Sequence, residues 1–200
     1  MTKRIFIIGH MGAGKFVFTE ALAKKLGWQL IDANPSLERY IGRHTRDILG
    51  EAGEASFNRS MADVIRHACT RNNIVILLEE CTVTSEECRS LLANEFVVYL
   101  KVSIPTQLGR MKHGVTQNQT GEIQHGRASA LPIDDLQKFL EKQHDERDPL
   151  YEKVASLIVE SNDFSNHPID TNNIIERDVE VVMRALKCAS NSFSEPKIQE

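Results

Sequence analysis

The sequence has no long apolar run and no excess of basic residues, and each absence narrows the class of protein. None of its apolar runs approaches the roughly 20 residues that a transmembrane helix needs, so no membrane association is expected. The 24 lysines and arginines are outnumbered by 28 aspartates and glutamates, which gives a net charge of −4. We therefore expect no basic surface that would bind nucleic acid.

Cysteine is also scarce, and none of the four cysteines has C-x-x-C spacing. This pattern favours reduced thiols over a disulfide framework or a zinc site. The apolar run that starts at Ile5 is too short for a signal peptide, and a glycine-rich segment follows it. The sequence therefore predicts a cytoplasmic protein.

Short apolar runs alternate with amphipathic segments along the chain. Strands are predicted at 5–8, 28–32, 73–78, 96–102 and 156–159, and helices at 15–26, 54–71, 134–147 and 178–187. Alternating strands and helices form a parallel sheet with helices on both faces, so the expected fold class is α/β in one domain, residues 1–188. Pro149 is expected to limit the helix over 134–147.

Two segments lack the pattern of a core element. Residues 111–129 are polar and contain several glycines, which is typical of a mobile loop or a lid. Residues 189–200 have no apolar periodicity, so they are expected to form a flexible C-terminal tail.

Gly9 to Phe16 read GHMGAGKF, a G-x-x-x-x-G-K motif between a predicted strand and a predicted helix. This context indicates a phosphate-binding loop, in which backbone amides and a helix N-terminus attract phosphate. Lys15 is expected to reach the β- and γ-phosphates of ATP or ADP. Phe16 stands where a Ser or Thr hydroxyl normally binds Mg²⁺. Asp32 could still hold the hydrated ion, so the expected magnesium site is weakened and has no direct ligand.

From about Arg4 to about Leu186 the chain resembles the shikimate kinase family. The resemblance rests on the phosphate loop, its spacing to Asp32, and the segments GEASFNR (53–59) and ERDPLYEKVASLIV (146–159). It implies a P-loop kinase fold: a three-layer α/β/α sandwich, a five-stranded parallel sheet and a lid at about 111–130. The implied reaction transfers the γ-phosphoryl group of ATP to a hydroxyl of shikimate, a small carboxylated ring.

Several residues match the family's site. The resemblance implies catalytic roles for Lys15, Asp32 and Arg127, although Arg127 is equally compatible with a solvated loop charge. Arg147 matches an arginine that grips the substrate carboxylate, and Arg110 falls where the family often packs an arginine on adenine. The expected nucleotide-binding set is Met11, Gly12, Ala13, Gly14, Lys15, Phe16 and Arg110.

Other positions of the implied substrate pocket depart from the family pattern. Asn34 replaces the candidate base, and an amide cannot accept a proton at neutral pH. Asn58 replaces a clamp arginine, which removes a bidentate contact to the substrate carboxylate. Glu79-Glu80-Cys81 replace a glycine triplet, and their two carboxylates would repel a carboxylated ring. Phe57 matches an aromatic wall of the pocket, but its helical stripe fits a core position equally well.

These departures favour a nucleotide-binding pseudoenzyme with a regulatory or interaction role, for which a protein partner is expected. Three alternatives stay open: a kinase for a cationic acceptor, a slow shikimate kinase, and an interaction protein that binds no nucleotide. His113, His125 and His144 are interpreted as surface histidines. Residues 145–148 are interpreted as a solvated helix end, apart from Arg147.

Overall fold

The computed structural model describes residues 3–42, 44–112, 133–162 and 171–191. Its strands are β1 (Arg4–Ile8), β2 (Gln29–Asp32), β3 (Ile74–Leu77), β4 (Phe96–Lys101) and β5 (Leu157–Glu160). Its α-helices are α1 (Lys15–Leu26), α2 (Ala33–Ile41), α3 (Thr45–Cys69), α4 (Glu86–Leu92), α5 (Ile104–Lys112), α6 (Ile133–Val154) and α7 (Thr171–Asn191). A 3₁₀ helix spans Glu80–Thr84.

The strands form a five-stranded sheet in the order β2-β3-β1-β4-β5, and each neighbouring pair is parallel. The predicted α/β fold with a five-stranded parallel sheet is confirmed. Because all strands run the same way, the segments that follow β1, β2 and β3 emerge at one edge of the sheet. Ligands of open α/β sheets bind at this edge, so the topology already places the phosphate loop beside Asp32 and Glu79.

The central strand β1 is buried on both faces, which explains its continuous apolar sequence. Phe6 and Ile8 belong to one core cluster, and Ile5 and Ile7 belong to the other. The first cluster includes residues of α3, α4 and α6, whereas the second includes residues of α1 and α7. Helices therefore cover both faces of the sheet, as the three-layer prediction requires.

Helix α6 passes through Pro149 and ends at Val154, so the prediction that Pro149 would limit the helix was wrong. An interior proline costs a helix about 3 kcal/mol. Here the residues beyond it are held by the core: Tyr151 is fully buried, and Leu150 and Val154 pack against the first cluster. Their burial offsets the lost backbone hydrogen bond.

Two predicted segments are only partly covered by the structure. The lid predicted at 111–130 lies outside the described residues, apart from its start in α5, and so does Arg127. Of the tail predicted from 189, the first three residues belong to α7, which continues to Asn191, and the rest lies outside the described residues. Among the described helices, none has both the length and the apolar character needed to cross a membrane.

Candidate functional site

The phosphate loop follows β1 and leads into α1. Gly9, Gly12 and Gly14 have φ values of +145°, +72° and +83°, and Gly14 forms the N-cap of α1. A Cβ atom on Gly9 would lie 2.6 Å from the carbonyl oxygen of Leu100, so β1 and β4 approach too closely here for any side chain. Because Gly14 is the N-cap, the loop ends at the N-terminus of α1. The first backbone N–H groups of a helix have no partner within it, and they attract anions.

Lys15 lies across the loop. Its Nζ atom donates hydrogen bonds to the carbonyl oxygens of Gly9 and His10, both at 2.9 Å. An ammonium group has three donors, so one N–H remains for a phosphate oxygen. Phe16 is half-buried and belongs to neither of the two core clusters that cover the sheet.

Helix α5 supports the loop from the side. Gln107 Nε2 donates to the carbonyl oxygen of Met11 at 2.6 Å. Arg110 donates through Nη1 to the carbonyl oxygen of Ala13 and through Nη2 to that of Ser161, both at 2.9 Å. The structure thus brings Arg110 to the phosphate loop, and its stacking on adenine stays a prediction.

Asp32 and Asn34 lie at the carboxyl end of β2, facing the segment after β3. Asp32 caps α2 by accepting a hydrogen bond from the backbone N–H of Asn34 at 3.0 Å. The side-chain amide of Asn34 donates to Glu79 Oε2. Burial raises the pKa of Asp32 to about 6, and the charge of Glu79 adds to the rise, while the Asn34 N–H and Lys15 oppose it.

Glu80 and Arg147 line a small cavity together with residues of the phosphate loop, His10 and Met11. Burial, and then the neighbouring charge of Glu79, raise the pKa of Glu80 well above its usual range, while Lys15 and Arg147 act against this rise. Arg147 is itself buried. The acceptor side of the site thus contains several carboxyl groups and two cations.

Three residues predicted for the substrate pocket are buried. Phe57 and Cys81 belong to the first core cluster, so the core interpretation of Phe57 fits. Asn58 is also buried, and its Nδ2 atom donates to the carbonyl oxygen of Cys81 at 3.1 Å and to Thr84 Oγ1 at 2.9 Å. None of the three lines the cavity of Glu80 and Arg147.

We expect the substitution Asp32→Asn to stabilise the fold at pH 8 by about 1–3 kcal/mol, since one pKa unit corresponds to about 1.4 kcal/mol. The pKa rises from 3.8 to about 6 on folding. A carboxyl with a raised folded pKa favours the folded state below its unfolded pKa, and this contribution is lost as pH rises through the folded value. Asparagine keeps the helix cap but removes the buried charge.

Urea denaturation at pH 8 and at pH 5 measures this effect. The gain from Asp32→Asn should be smaller at pH 5, where the wild-type carboxyl is largely protonated. Asp63→Asn is the matched control, because Asp63 is exposed and bonds to Arg66 at the surface. Equal stability of wild type and Asp32→Asn at pH 8 would refute the buried charge.

Comparisons with known proteins place this geometry in a family. A family model described as shikimate kinase matches residues 11–187. The chain belongs to the shikimate kinase family. Shikimate kinase from Francisella philomiragia subsp. philomiragia is 34% identical over 163 residues, covering 80% of this chain and 86% of that protein. The Francisella tularensis subsp. novicida enzyme gives the same values.

Solved structures of shikimate kinases share the fold. The crystal structure of shikimate kinase from Bacteroides thetaiotaomicron matches with a TM-score of 0.76 and 22% identity, over 92% of this chain and 98% of that one. Shikimate kinase from Acinetobacter baumannii in complex with shikimate gives 0.71 and 22%, over 92% and 95%. Shikimate kinases are phosphotransferases that use ATP and Mg²⁺. The P-loop kinase fold of this chain is thereby confirmed.

This shikimate kinase-family chain also contains a polar cluster that the sequence interpretation missed. His10 Nε2 lies 2.5 Å from Asp148 Oδ1, and Tyr99 donates to the same oxygen at 2.7 Å. His144 Nδ1 lies 3.3 Å from Asp148 Oδ2, and the rings of His10 and His144 stack with centroids 3.9 Å apart. The cluster joins the phosphate loop to α6 and β4.

Two sequence interpretations are wrong here. His144 is not a surface histidine, because its side chain is only 11% exposed. Asp148 is not part of a solvated helix end, since it accepts from partners on β4 and the phosphate loop. Burial raises the pKa of Asp148, but hydrogen bonds from His10, His144 and Tyr99 outweigh burial and hold the pKa well below its usual range. The helical spacing of His144 and Asp148, beside Arg147, was the available signal.

Proposed function

We propose that this chain binds ATP or ADP but does not phosphorylate shikimate, which makes it a pseudoenzyme or a kinase of altered specificity. The observation behind the proposal is the hydrogen bond from Asn34 to Glu79. It joins two departures from the family pattern, the lost base and the lost glycine triplet, across the acceptor side. The two substitutions thus complement one another, and we propose that they occupy the space that the family leaves to its substrate.

Electrostatic repulsion also supports the loss of shikimate binding. Glu79 is close enough to Asp32 and to Glu80 for its charge to raise the pKa of each. A substrate carboxylate that approached one ionised carboxylate to about 4 Å would meet a repulsion of about 1–4 kcal/mol. The family's clamp arginine would offset this repulsion, but Asn58 is neutral and donates from α3 to Cys81 and Thr84 of the 3₁₀ helix.

The phosphate loop supports retained nucleotide binding. Its glycines adopt conformations that a β-carbon would disfavour, and Lys15 lies across the loop with one N–H that no described residue accepts. Backbone amides and a lysine are the groups that hold the phosphates in P-loop proteins. We therefore propose ATP and ADP as the ligands of this loop.

Magnesium fits the residues poorly. Phe16 has no oxygen, and the hydroxyl of Thr19, one turn along α1, is buried and donates to the carbonyl oxygen of Lys15 at 2.6 Å. Asp32 is the remaining candidate, and the family resemblance implies that it holds the ion through water, since Mg²⁺ keeps most of its waters. We propose that nucleotide binding depends little on Mg²⁺, and no step of the chemistry is assigned to the ion.

A second candidate is phosphoryl transfer to a cationic acceptor, which the adjacent carboxyl groups of Glu79 and Glu80 favour. An amine or a guanidine could pair with Glu79, and the unprotonated Glu80 could accept a proton from the acceptor. The raised pKa of Glu80 would suit a general base near neutral pH. ADP release with primary amines and guanidines, compared with release without an acceptor, tests this candidate.

Calorimetric titration with ATP and with ADP, first in Mg²⁺ and then in EDTA, tests the proposed nucleotide site. We expect Kd values that agree within about threefold, a difference of about 0.7 kcal/mol. Lys15→Ala should weaken binding at least tenfold, or about 1.4 kcal/mol, whereas Lys25→Ala on the far turn of α1 should not. A strong Mg²⁺ requirement would contradict the proposed metal independence, and no binding in either buffer would remove the nucleotide site.

A further inference from the structure

We propose that His10, His144 and Asp148 bind a divalent transition-metal ion of the zinc class. Each side chain offers one ligand atom, and these atoms all lie within 4.8 Å of one another. His10 comes from the phosphate loop, whereas His144 and Asp148 are four residues apart on one face of α6. Two imidazoles and a carboxylate are typical ligands of zinc and related metals, whereas Mg²⁺ prefers oxygen ligands.

A hydrogen-bond chain fixes how His144 presents its ring. Because Gln107 donates its amide N–H to Met11, its Oε1 atom faces His144 Nε2, at 2.9 Å. Nε2 must therefore carry a hydrogen, and in the neutral ring Nδ1 turns its lone pair toward Asp148 Oδ2, at 3.3 Å. A lone pair opposite a carboxylate oxygen is unfavourable, so this position favours a cation: either a proton on Nδ1, which then donates to Asp148, or a metal ion between the two atoms. Outer partners fix metal-binding histidines in the same way.

The surroundings of Asp148 also suit an ion. Tyr99 donates to Oδ1 and can keep this bond as an outer partner of a metal-bound carboxylate. Metal binding would displace the proton that His10 Nε2 shares with Asp148, and this proton would pass to solvent. The side chains of His10, His144 and Asp148 are 2%, 11% and 23% exposed, so the ion would be held away from bulk water.

Binding requires a modest rearrangement of the cluster, in which His10 Nε2 and Asp148 Oδ1, now 2.5 Å apart, separate. Zinc bonds imidazole nitrogens at about 2.0–2.1 Å, so the widest separation must shorten and the stacked rings must tilt from their 17° interplanar angle. The cavity beside His10 offers a direction for a water as fourth ligand. Lys15 lies close enough to act electrostatically on His10, and Asp148 and Glu80 bring opposite charge to the same region.

The site would couple the ion to the phosphate loop. His10 lies between Gly9 and Met11, so a metal bond would tie the phosphate loop to α6. The loop is already tied to α5 by the hydrogen bond from Gln107 to Met11. A bound ion should therefore raise the melting temperature of the chain. This inference does not rest on the proposed nucleotide binding, because metal binding is measured without nucleotide.

Titration of the metal-free full chain with Zn²⁺, in competition with a chromophoric chelator, tests the site. We expect one ion per chain, and His144→Gln and Asp148→Asn should each weaken binding at least tenfold, since even outer-shell changes cost about 10–100-fold. His67→Gln is the matched control, because His67 is an exposed histidine of α3. The control should leave the affinity unchanged.

The visible spectrum of the Co²⁺-loaded wild-type chain gives a second readout that needs no variant. Nitrogen and oxygen ligands predict d–d bands without a thiolate-to-cobalt charge-transfer band. Three outcomes would overturn the proposal: no tight binding by wild type, unchanged binding in His144→Gln and Asp148→Asn, or a thiolate charge-transfer band. The last outcome would assign the metal to cysteines.

Discussion

Replacing Gly9 by alanine is expected to lower the free energy of unfolding by about 3 kcal/mol or more, the range of changes that strain a packed backbone. The added Cβ would lie 2.6 Å from the carbonyl oxygen of Leu100. Leu100 is buried in β4, a strand that pairs with β1 on one side and with β5 on the other. Moving this oxygen away would therefore disturb the sheet. The φ of +145° adds backbone strain for any residue with a side chain. ATP binding should be lost together with the loop conformation.

Gly27→Ala is the matched control for this experiment. Gly27 also has a left-handed φ, +66°, but an added Cβ would meet nothing within 4 Å. Gly27→Ala should lower the free energy of unfolding by only about 1 kcal/mol, the usual penalty for an alanine in the left-handed conformation. Urea denaturation of both variants, with ATP calorimetry, separates the effect of the clash with Leu100 from the effect of a positive φ. Equal losses would mean that the close approach of β1 and β4 does not constrain the loop.

Shikimate binding is expected to increase at least tenfold, or about 1.4 kcal/mol, in the triple variant Asn58→Arg, Glu79→Gly, Glu80→Gly. The two glycines remove the carboxylates that face the acceptor and the partner of the Asn34 amide. The new arginine restores a charge-assisted contact for the substrate carboxylate. Calorimetric titration with shikimate in the presence of ADP measures the change.

A control variant tests whether the new arginine and the change in net charge explain the gain in shikimate affinity while Glu79 and Glu80 stay. Asn58→Arg combined with Glu141→Gln and Glu146→Gln changes the net charge equally, but Glu141 and Glu146 are exposed on α6. This control should gain less affinity for shikimate than the triple variant, because Glu79 and Glu80 still face the acceptor. If both variants gain equally, the gain comes from the new arginine or from the net charge. That result, or a folded triple variant that gains nothing, would show that the proposed repulsion by Glu79 and Glu80 is wrong.

The sheet and its helices could be predicted because their signals are local. Runs such as IFII at 5–8 are apolar throughout because β1 is buried on both faces. Lys15–Leu26 matched the predicted helix and ended at Gly27, whose left-handed conformation a glycine adopts at no steric cost. The family pattern then added the positions of the site.

The polar cluster could not be predicted because its contacts are distant in sequence. His10 and Asp148 are 138 positions apart, and no local pattern relates them. The path of α6 beyond Pro149 depends likewise on Tyr151, which is buried against residues of other elements. At the acceptor side the substitutions were visible in the sequence. The hydrogen bond between Asn34 and Glu79 required the fold.

Shikimate phosphorylation by the purified full chain decides whether the acceptor site has lost its family function. The assay supplies ATP, Mg²⁺ and shikimate and follows the phosphorylated product by ³¹P NMR, with Francisella philomiragia shikimate kinase as the positive control. We expect ATP binding in the same sample but a rate below about one-thousandth of the control, which corresponds to about 4 kcal/mol in the barrier. A shikimate-dependent rate above this level would show that the chain is an active shikimate kinase and that Asn34, Asn58, Glu79 and Glu80 are tolerated changes.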